Sequence, residues 1–175
     1  MTGFEPATSC SQSRRATKLR YIPAPIVTWL SRCSNVFLGS FLVCNYSIDL
    51  LPGVSAAQAQ QLSSLGILTT FDLLRQGNRL QQRQVLSAKL STHIKHVNKW
   101  TALANLARIP GVGCDYCGLL LNAGVSTPQQ LATMSAQRLQ PQLARLQIQL
   151  LNRADLAPGM GQVAGWIRAA QGMGR

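Results

Sequence analysis

Residues 109–113 read Ile-Pro-Gly-Val-Gly, and residues 51–55, which lie 58 positions earlier, read Leu-Pro-Gly-Val-Ser. Two glycines around one apolar residue let the backbone turn tightly and leave successive N–H groups unblocked by side chains. The segments on both sides of residues 109–113 carry apolar residues at helical spacing, so the motif predicts a turn between two helices. The unpaired N–H groups that open the second helix would make this turn suited to a phosphate.

The similarity between the two segments continues beyond the turns at the same offset. The further pairs without a gap are Leu62 and Leu120, Gly66 and Gly124, Thr69 and Thr127, and Leu73 and Leu131. After about eight extra residues, Val97-x-x-Trp100 corresponds to Val163-x-x-Trp166. Repetition of one supersecondary unit is the simplest cause of such matches, so the sequence predicts an internal repeat.

Both copies carry the signals of helix ends. Gly124 is placed to end one helix in the left-handed conformation, and Thr127-Pro128 is placed to start the next with an N-cap and a proline at the first helical position. Trp100 and Trp166 lie on apolar stripes, which favours packing in the core over stacking on bases. No stretch alternates like a strand. We therefore expect an all-α fold, with two tandem helix-hairpin-helix-like repeats packed as one compact helical domain.

The first 45 residues differ from the rest, and we expect the division 1–45, 46–107 and 108–175, with one repeat in each of the last two segments. Gly3-Phe4-Glu5-Pro6 can be encoded by GGA-TTC-GAA-CCN, whose reverse complement resembles the T-arm of a transfer-RNA gene. Residues 1–45 are therefore interpreted as a disordered or spurious extension that follows a mis-set start, with a real basic tail as the alternative. The apolar stretch 26–46 is interrupted by Arg32 and other polar residues, so no membrane segment is expected.

The charge indicates the class of partner. The chain carries a formal net charge of +12, and residues 47–175 alone have twelve Lys and Arg against four Asp. Such a surface favours phosphates or acidic partners, although a basic domain without a nucleic-acid role is the alternative. The five cysteines are an odd set without regular spacing, which is typical of a reducing cytoplasm. We therefore expect a cytoplasmic protein.

The sequence was searched for residues that could form a metal site or a catalytic site, and each is considered in turn. His93 and His96 with Cys114 and Cys117 have the residue types of a zinc site, but both pairs are on predicted helices, and buried thiols packed near the hairpin are the preferred interpretation. No set of nucleophile, base and orienting residue stands out, nor a glycine-rich loop of nucleotide-binding length. We expect no enzyme activity, no metal, no cofactor and no small-molecule substrate.

The pattern hydrophobic-Pro-Gly-hydrophobic-Gly at residues 109–113, followed by Leu119, Leu120 and Gly124, resembles the helix-hairpin-helix motif. That resemblance implies binding to the DNA backbone without sequence preference, often through a tandem pair. Residues 48–172 also resemble an uncharacterised family, domain of unknown function 4332, seen largely in cyanobacteria. Its matching segments here are 97–100, 104–113, 119–120 and 123–125. This second resemblance implies tandem helix-hairpin-helix-like structure and no established activity.

The chain departs from the DNA-binding pattern at two positions. Ser55 stands where the second hairpin glycine would be, so the first turn is expected to be structural, with Ser55 capping the next helix. Asp115 places a carboxylate in the first turn of the helix after Gly113, where it would repel a phosphate. We expect a module that binds nucleic acid, with a protein partner as the alternative. The predicted binding residues are Arg108, Gly111, Val112, Gly113, Lys95 and Lys99.

Overall fold

The computed structural model of the chain describes residues 34–38, 41–151 and 157–174. The chain is mainly helical, as expected from the sequence. The eight helices of the described residues are α1 (Ala56–Ser64), α2 (Thr70–Gln76), α3 (Leu80–Lys89), α4 (Ile94–Ala107), α5 (Gly113–Asn122), α6 (Pro128–Ala132), α7 (Ala136–Leu151) and α8 (Met160–Met173). A short 3-10 helix, Ile48–Leu50, precedes α1. Residues 1–33, where we expected a disordered or mis-set start, lie outside the described residues.

Two short strands at the end of the 1–45 segment were not anticipated. Strands β1 (Ser34–Leu38) and β2 (Phe41–Asn45) pair antiparallel, with Val36 opposite Val43. The expectation that no stretch forms a strand is wrong here. Both segments are short and rich in valine and phenylalanine, which favour strands, and the intervening Gly39-Ser40 is a hairpin signal in the sequence. An apolar run of this length cannot be assigned by periodicity alone.

The end of β2 is joined to the helical part of the chain. The amide N–H of Cys44 donates to the carbonyl oxygen of Arg108 at 3.4 Å. The side-chain oxygen of Asn45 accepts from the hydroxyl of Thr70 at 3.1 Å and from the amide of Phe71 at 3.2 Å. The last residues of the 1–45 segment therefore contact both repeats that were expected from the sequence.

The helix starts follow the signals in the sequence. The Ser55 hydroxyl accepts from the Gln58 amide at 3.3 Å, and the Gln58 side chain accepts from the Ser55 amide at 2.9 Å, which confirms the expected cap of α1. Thr69 caps α2 in the same way. Thr127 caps α6, whose first residue is Pro128. Each cap satisfies amides that the helix itself leaves unpaired.

The backbone has the same conformation at the positions that the 58-residue offset relates. Gly53 and Gly111 have φ values of +84° and +83°, and Gly66 and Gly124 have φ values of +77° and +86°. The hydrogen bond that closes each helix end is also shared. The amide of Ile67 donates to Leu62 and the amide of Val125 to Leu120, both at 3.0 Å. The backbone therefore matches the sequence offset at these positions.

The core forms around α4, which packs against α2, α3 and α5. Trp100 on α4 is fully buried, and Trp166 on α8 is 2% exposed. The prediction that both indoles pack in the core is confirmed. Leu139 and Leu143 of α7 are buried as well, and α7 and α6 both pack against α8. This arrangement places the 109–113 turn between α4 and α5, above Trp166.

Candidate nucleic-acid interface at the second hairpin

The second hairpin, residues 109–113, is a tight turn with one exposed and one buried glycine. The amide of Val112 donates to the carbonyl oxygen of Ile109 at 3.1 Å and closes the turn. Gly111 is exposed at its tip, whereas Val112 is buried. Gly113 is the first residue of α5, is buried, and has a φ of +57°. A side chain at Gly111 or Gly113 would be strained, since both residues adopt the left-handed conformation.

The two hairpins differ in how their following helices begin. Ser55 and Gln58 cap the amide end of α1, whereas the N-cap of α5 is Val112 and no side-chain cap is formed there among the described residues. The amides at the start of α5 therefore receive no hydrogen bond from an N-cap side chain of the kind that Ser55 provides for α1. These amides and the positive end of the helix dipole favour an anion at the second hairpin.

Arg108 stands immediately before the second hairpin and ends α4. Its side chain is half-buried, and its Nε is a buried donor without a hydrogen-bond partner. Burial also lowers the pKa of the guanidinium below its ordinary value. An arginine stays charged under these conditions, so the desolvated group would be stabilised by an anion. At the equivalent position, the first copy has the apolar residue Leu50.

Trp166 presents a second donor of the same kind under the turn. Its Nε1 is buried without a partner, and it lies 3.2 Å from the point that a Cβ on Gly111 would occupy. In the first copy, Nε1 of Trp100 donates to the carbonyl oxygen of Gly53 at 3.0 Å. Within the described part of the chain, Arg108 Nε and Trp166 Nε1 are the buried side-chain donors that lack a partner. Both of these donors therefore belong to the second hairpin. At the first hairpin, the indole N–H of Trp100 has the Gly53 carbonyl oxygen as its acceptor.

The structure divides the predicted binding residues between two places. Arg108, Gly111, Val112 and Gly113 are together at the second hairpin. Lys99 lies beside the first hairpin, where its Nζ is 3.6 Å from the point that a Cβ on Gly53 would occupy. Because an α-helix rises 1.5 Å per residue, Lys99 is about 13.5 Å along α4 from Arg108, and Lys95 is farther still. Closeness in sequence did not bring these two lysines to the second hairpin.

The cysteine pair and the histidine pair that were considered as a zinc site have different structural roles. Cys117 is buried, its thiol donates to the Cys114 carbonyl at 3.4 Å, and burial raises its pKa to about 12. The Nδ1 of His93 accepts from the Lys95 amide at 3.1 Å, so His93 serves as the N-cap of α4. In the described ranges, no three side chains of His, Cys, Asp or Glu come together as metal ligands.

A family model described as domain of unknown function (DUF4332) matches residues 52–173. The chain belongs to this family. The matched region begins at Pro52 in the first hairpin and includes the second hairpin and every helix from α1 to α8. No curated protein and no solved structure matches the chain.

The surface of the DUF4332 region and the segment before it is basic. Residues 44–151 and 157–174 carry ten Lys and Arg against three Asp. Arg138 and Arg145 are both exposed on α7 with glutamines between and after them. The predicted binding residues did not include this face, although Arg138 and Arg145 are seven residues apart and so fall on one side of a helix. None of the described helices is both long and apolar enough to cross a bilayer.

Proposed function

We propose that this DUF4332 chain is a non-enzymatic module that binds the backbone of nucleic acid, without sequence preference, through the second hairpin. The two hairpins are then a tandem helix-hairpin-helix pair in which the copies have different roles. The first hairpin is structural, and the second holds a phosphate between the amide end of α5 and the side chain of Arg108.

The observation that carries this proposal is the difference in unpaired donors between the two hairpins. The first hairpin satisfies its donors with its own residues: Ser55 and Gln58 cap α1, and Trp100 bonds to Gly53. The second hairpin has buried N–H groups without partners at Arg108 and Trp166, and its N-cap residue Val112 makes no side-chain cap to α5. A buried donor without a partner costs about 1–3 kcal/mol. Both nitrogens are enclosed in this structure, so a phosphate that accepts hydrogen bonds from them would recover part of that free energy once the turn shifts to open them.

Charge and geometry set the expected strength. The exposed Lys99 beside the first hairpin adds a positive charge that attracts a duplex backbone. Asp115 acts in the opposite direction, because its carboxylate lies in the first turn of α5. We therefore expect a modest affinity that depends strongly on salt. With about five phosphates neutralised, the slope of log K against log salt would be about −4.5, a loss of about 500-fold between 50 and 200 mM.

The test is a salt titration of the full chain with fluorescent duplex DNA, duplex RNA and single-stranded DNA, followed by anisotropy. Arg108→Leu gives the second hairpin the residue that the first copy has at the equivalent position, Leu50. This change should weaken binding and reduce the magnitude of the slope by about 0.9, because one phosphate contact is lost. The matched control is Arg75→Leu, which removes the same charge from an exposed position near the end of α2.

Two results would contradict the proposal. The first is wild-type protein that binds none of these probes at 50 mM salt, in which case the alternative of a protein-interaction module takes its place. The second is an equal effect of Arg108→Leu and Arg75→Leu, because general charge would then explain the binding without the hairpin. Both variants should be compared by thermal unfolding, so that a loss of fold is not mistaken for a loss of contact.

A further inference from the structure

A groove lies between the end of α5 and the exposed face of α7, away from the second hairpin. It has a volume of about 330 Å³. We call it the α7 groove, and its lining residues are Asn122, Arg138, Pro141, Gln142, Arg145, Leu146 and Gln149. The side-chain amide of Gln142 donates to the carbonyl oxygen of Ala123 at 3.2 Å, which ties α7 to the end of α5.

The lining of the α7 groove has the chemistry of an anion-binding surface. Arg138 and Arg145 are both exposed and seven residues apart on one helix, so their axial separation is about 10.5 Å. None of the lining residues that the structure describes is a carboxylate. A guanidinium forms paired hydrogen bonds with phosphate, and the amides of Asn122 and Gln149 can bond to phosphate or sugar oxygens.

The arrangement fits a nucleic-acid duplex better than a single strand or a peptide. The described lining residues include no aromatic side chain, so they provide no stacking platform of the kind that single-stranded nucleic acid uses. Phosphates follow one another every 3.4 Å along the axis of one duplex strand, so the spacing of Arg138 and Arg145 spans about three of them. Among the described lining residues, Pro141 and Leu146 are the apolar ones, which is little for a protein partner.

We propose that the α7 groove is a second contact for the backbone of the same duplex, an inference that rests on the proposed function. Gly113 and Asn122 open and close α5, so the second hairpin and the α7 groove are about 13.5 Å apart along that helix. This distance corresponds to about four base pairs of a duplex. The second hairpin and the α7 groove thus contact one duplex at two points. The second contact determines how the duplex axis is oriented relative to α5.

The experiment compares two double variants of the full chain on a 24-base-pair duplex DNA by anisotropy between 50 and 200 mM salt. Arg138→Gln with Arg145→Gln removes both guanidinium groups and keeps good helix formers on α7. The control is Arg75→Gln with Arg79→Gln, which changes the net charge equally at exposed positions of the first half of the chain. The α7 variant should bind about tenfold more weakly at 50 mM and lower the magnitude of the slope by about 1.8, while the control changes affinity less than about threefold.

The outcomes separate the two proposals. If wild type does not bind the duplex, the proposed function fails, and the inference fails with it. If wild type binds and the two double variants lose affinity equally, the α7 groove is not a contact, although the hairpin proposal stands. A labelled polyglutamate peptide is the third probe. If the α7 variant loses the peptide and keeps the duplex, the groove is a site for an acidic protein, and the inference is overturned.

Discussion

Alanine in place of glycine at the tips of the turns should reveal how differently the two hairpins are packed. Gly53, Gly66, Gly111 and Gly124 all have φ values between +77° and +86°. An alanine in this conformation costs about 1–2 kcal/mol at each position, because its Cβ approaches the following carbonyl oxygen. The four substitutions would therefore be equal if backbone conformation alone decided their effect on the free energy of unfolding.

The surroundings of the new methyl group break this equality at Gly111. Nothing lies within 4 Å of the Cβ position at Gly66 or Gly124, and at Gly53 the nearest atom is the flexible end of Lys99 at 3.6 Å. At Gly111 the Cβ would be 3.2 Å from Nε1 and 3.3 Å from Cδ1 of Trp166. That indole is buried in the core and would have to shift by a few tenths of an ångström, so overpacking should add about 1–3 kcal/mol. We expect about 2–5 kcal/mol for Gly111→Ala.

Urea unfolding followed by circular dichroism measures these differences, provided that the m value stays constant across the series. A double-mutant cycle makes the test sharper. Gly111→Ala and Trp166→Phe should be coupled by about 1 kcal/mol, whereas Gly124→Ala and Trp166→Phe should be additive. A Gly111→Ala variant as stable as Gly124→Ala would refute the reasoning, because the turn would then have room that the structure does not show.

The remaining predictions concern the indoles and the buried thiol. Trp100→Phe should destabilise the chain by about 1 kcal/mol more than Trp166→Phe, since only the former breaks a hydrogen bond and leaves the Gly53 carbonyl without its donor; equal losses in urea would contradict this. The pKa of Cys117 is raised to about 12 in the folded chain, against about 8.5 for an ordinary thiol. The buried, protonated thiol therefore contributes fully to the free energy of unfolding below pH 8.5, and this contribution is lost as the pH rises toward 12. Between pH 9 and 10, wild type should lose about 1 kcal/mol more than Cys117→Ala, and parallel stability curves would show that the thiolate is tolerated.

The local structure of the hairpins could be predicted because it depends on residues close in sequence. Glycine after proline marked both turns, and Ser55 and Thr127 marked helix starts that the structure shows as capped. The two tryptophans were placed in the core from the spacing of apolar residues, and both are buried. These features need no knowledge of the rest of the fold, since turn and cap geometry is set within four or five residues.

The features that the sequence did not reveal depend on distant parts of the chain. Strands β1 and β2 form from short apolar runs whose period is ambiguous. Lys99 was grouped with the second hairpin because it precedes it in sequence, but the rise of α4 carries it to the first hairpin. The unpaired donors of Arg108 and Trp166 depend on whether the folded chain brings an acceptor within reach of each nitrogen, and the sequence alone does not show this.

The contrast between the two hairpins is itself the strongest argument about their roles. If the second turn served only to connect helices, a side-chain cap and an indole hydrogen bond like those of the first turn would stabilise the chain. A side-chain N-cap contributes about 1 kcal/mol, and an indole bond like that of Trp100 contributes about 1 kcal/mol more. The chain instead has glycine at position 113 and arginine at position 108, where the first copy has Ser55 and Leu50. Groups left unpaired at such a cost are characteristic of sites that use them. An anion is the ligand that the positive end of α5 and a desolvated guanidinium both favour, and for that reason we expect the second hairpin, rather than the first, to determine whether this chain binds a phosphate backbone.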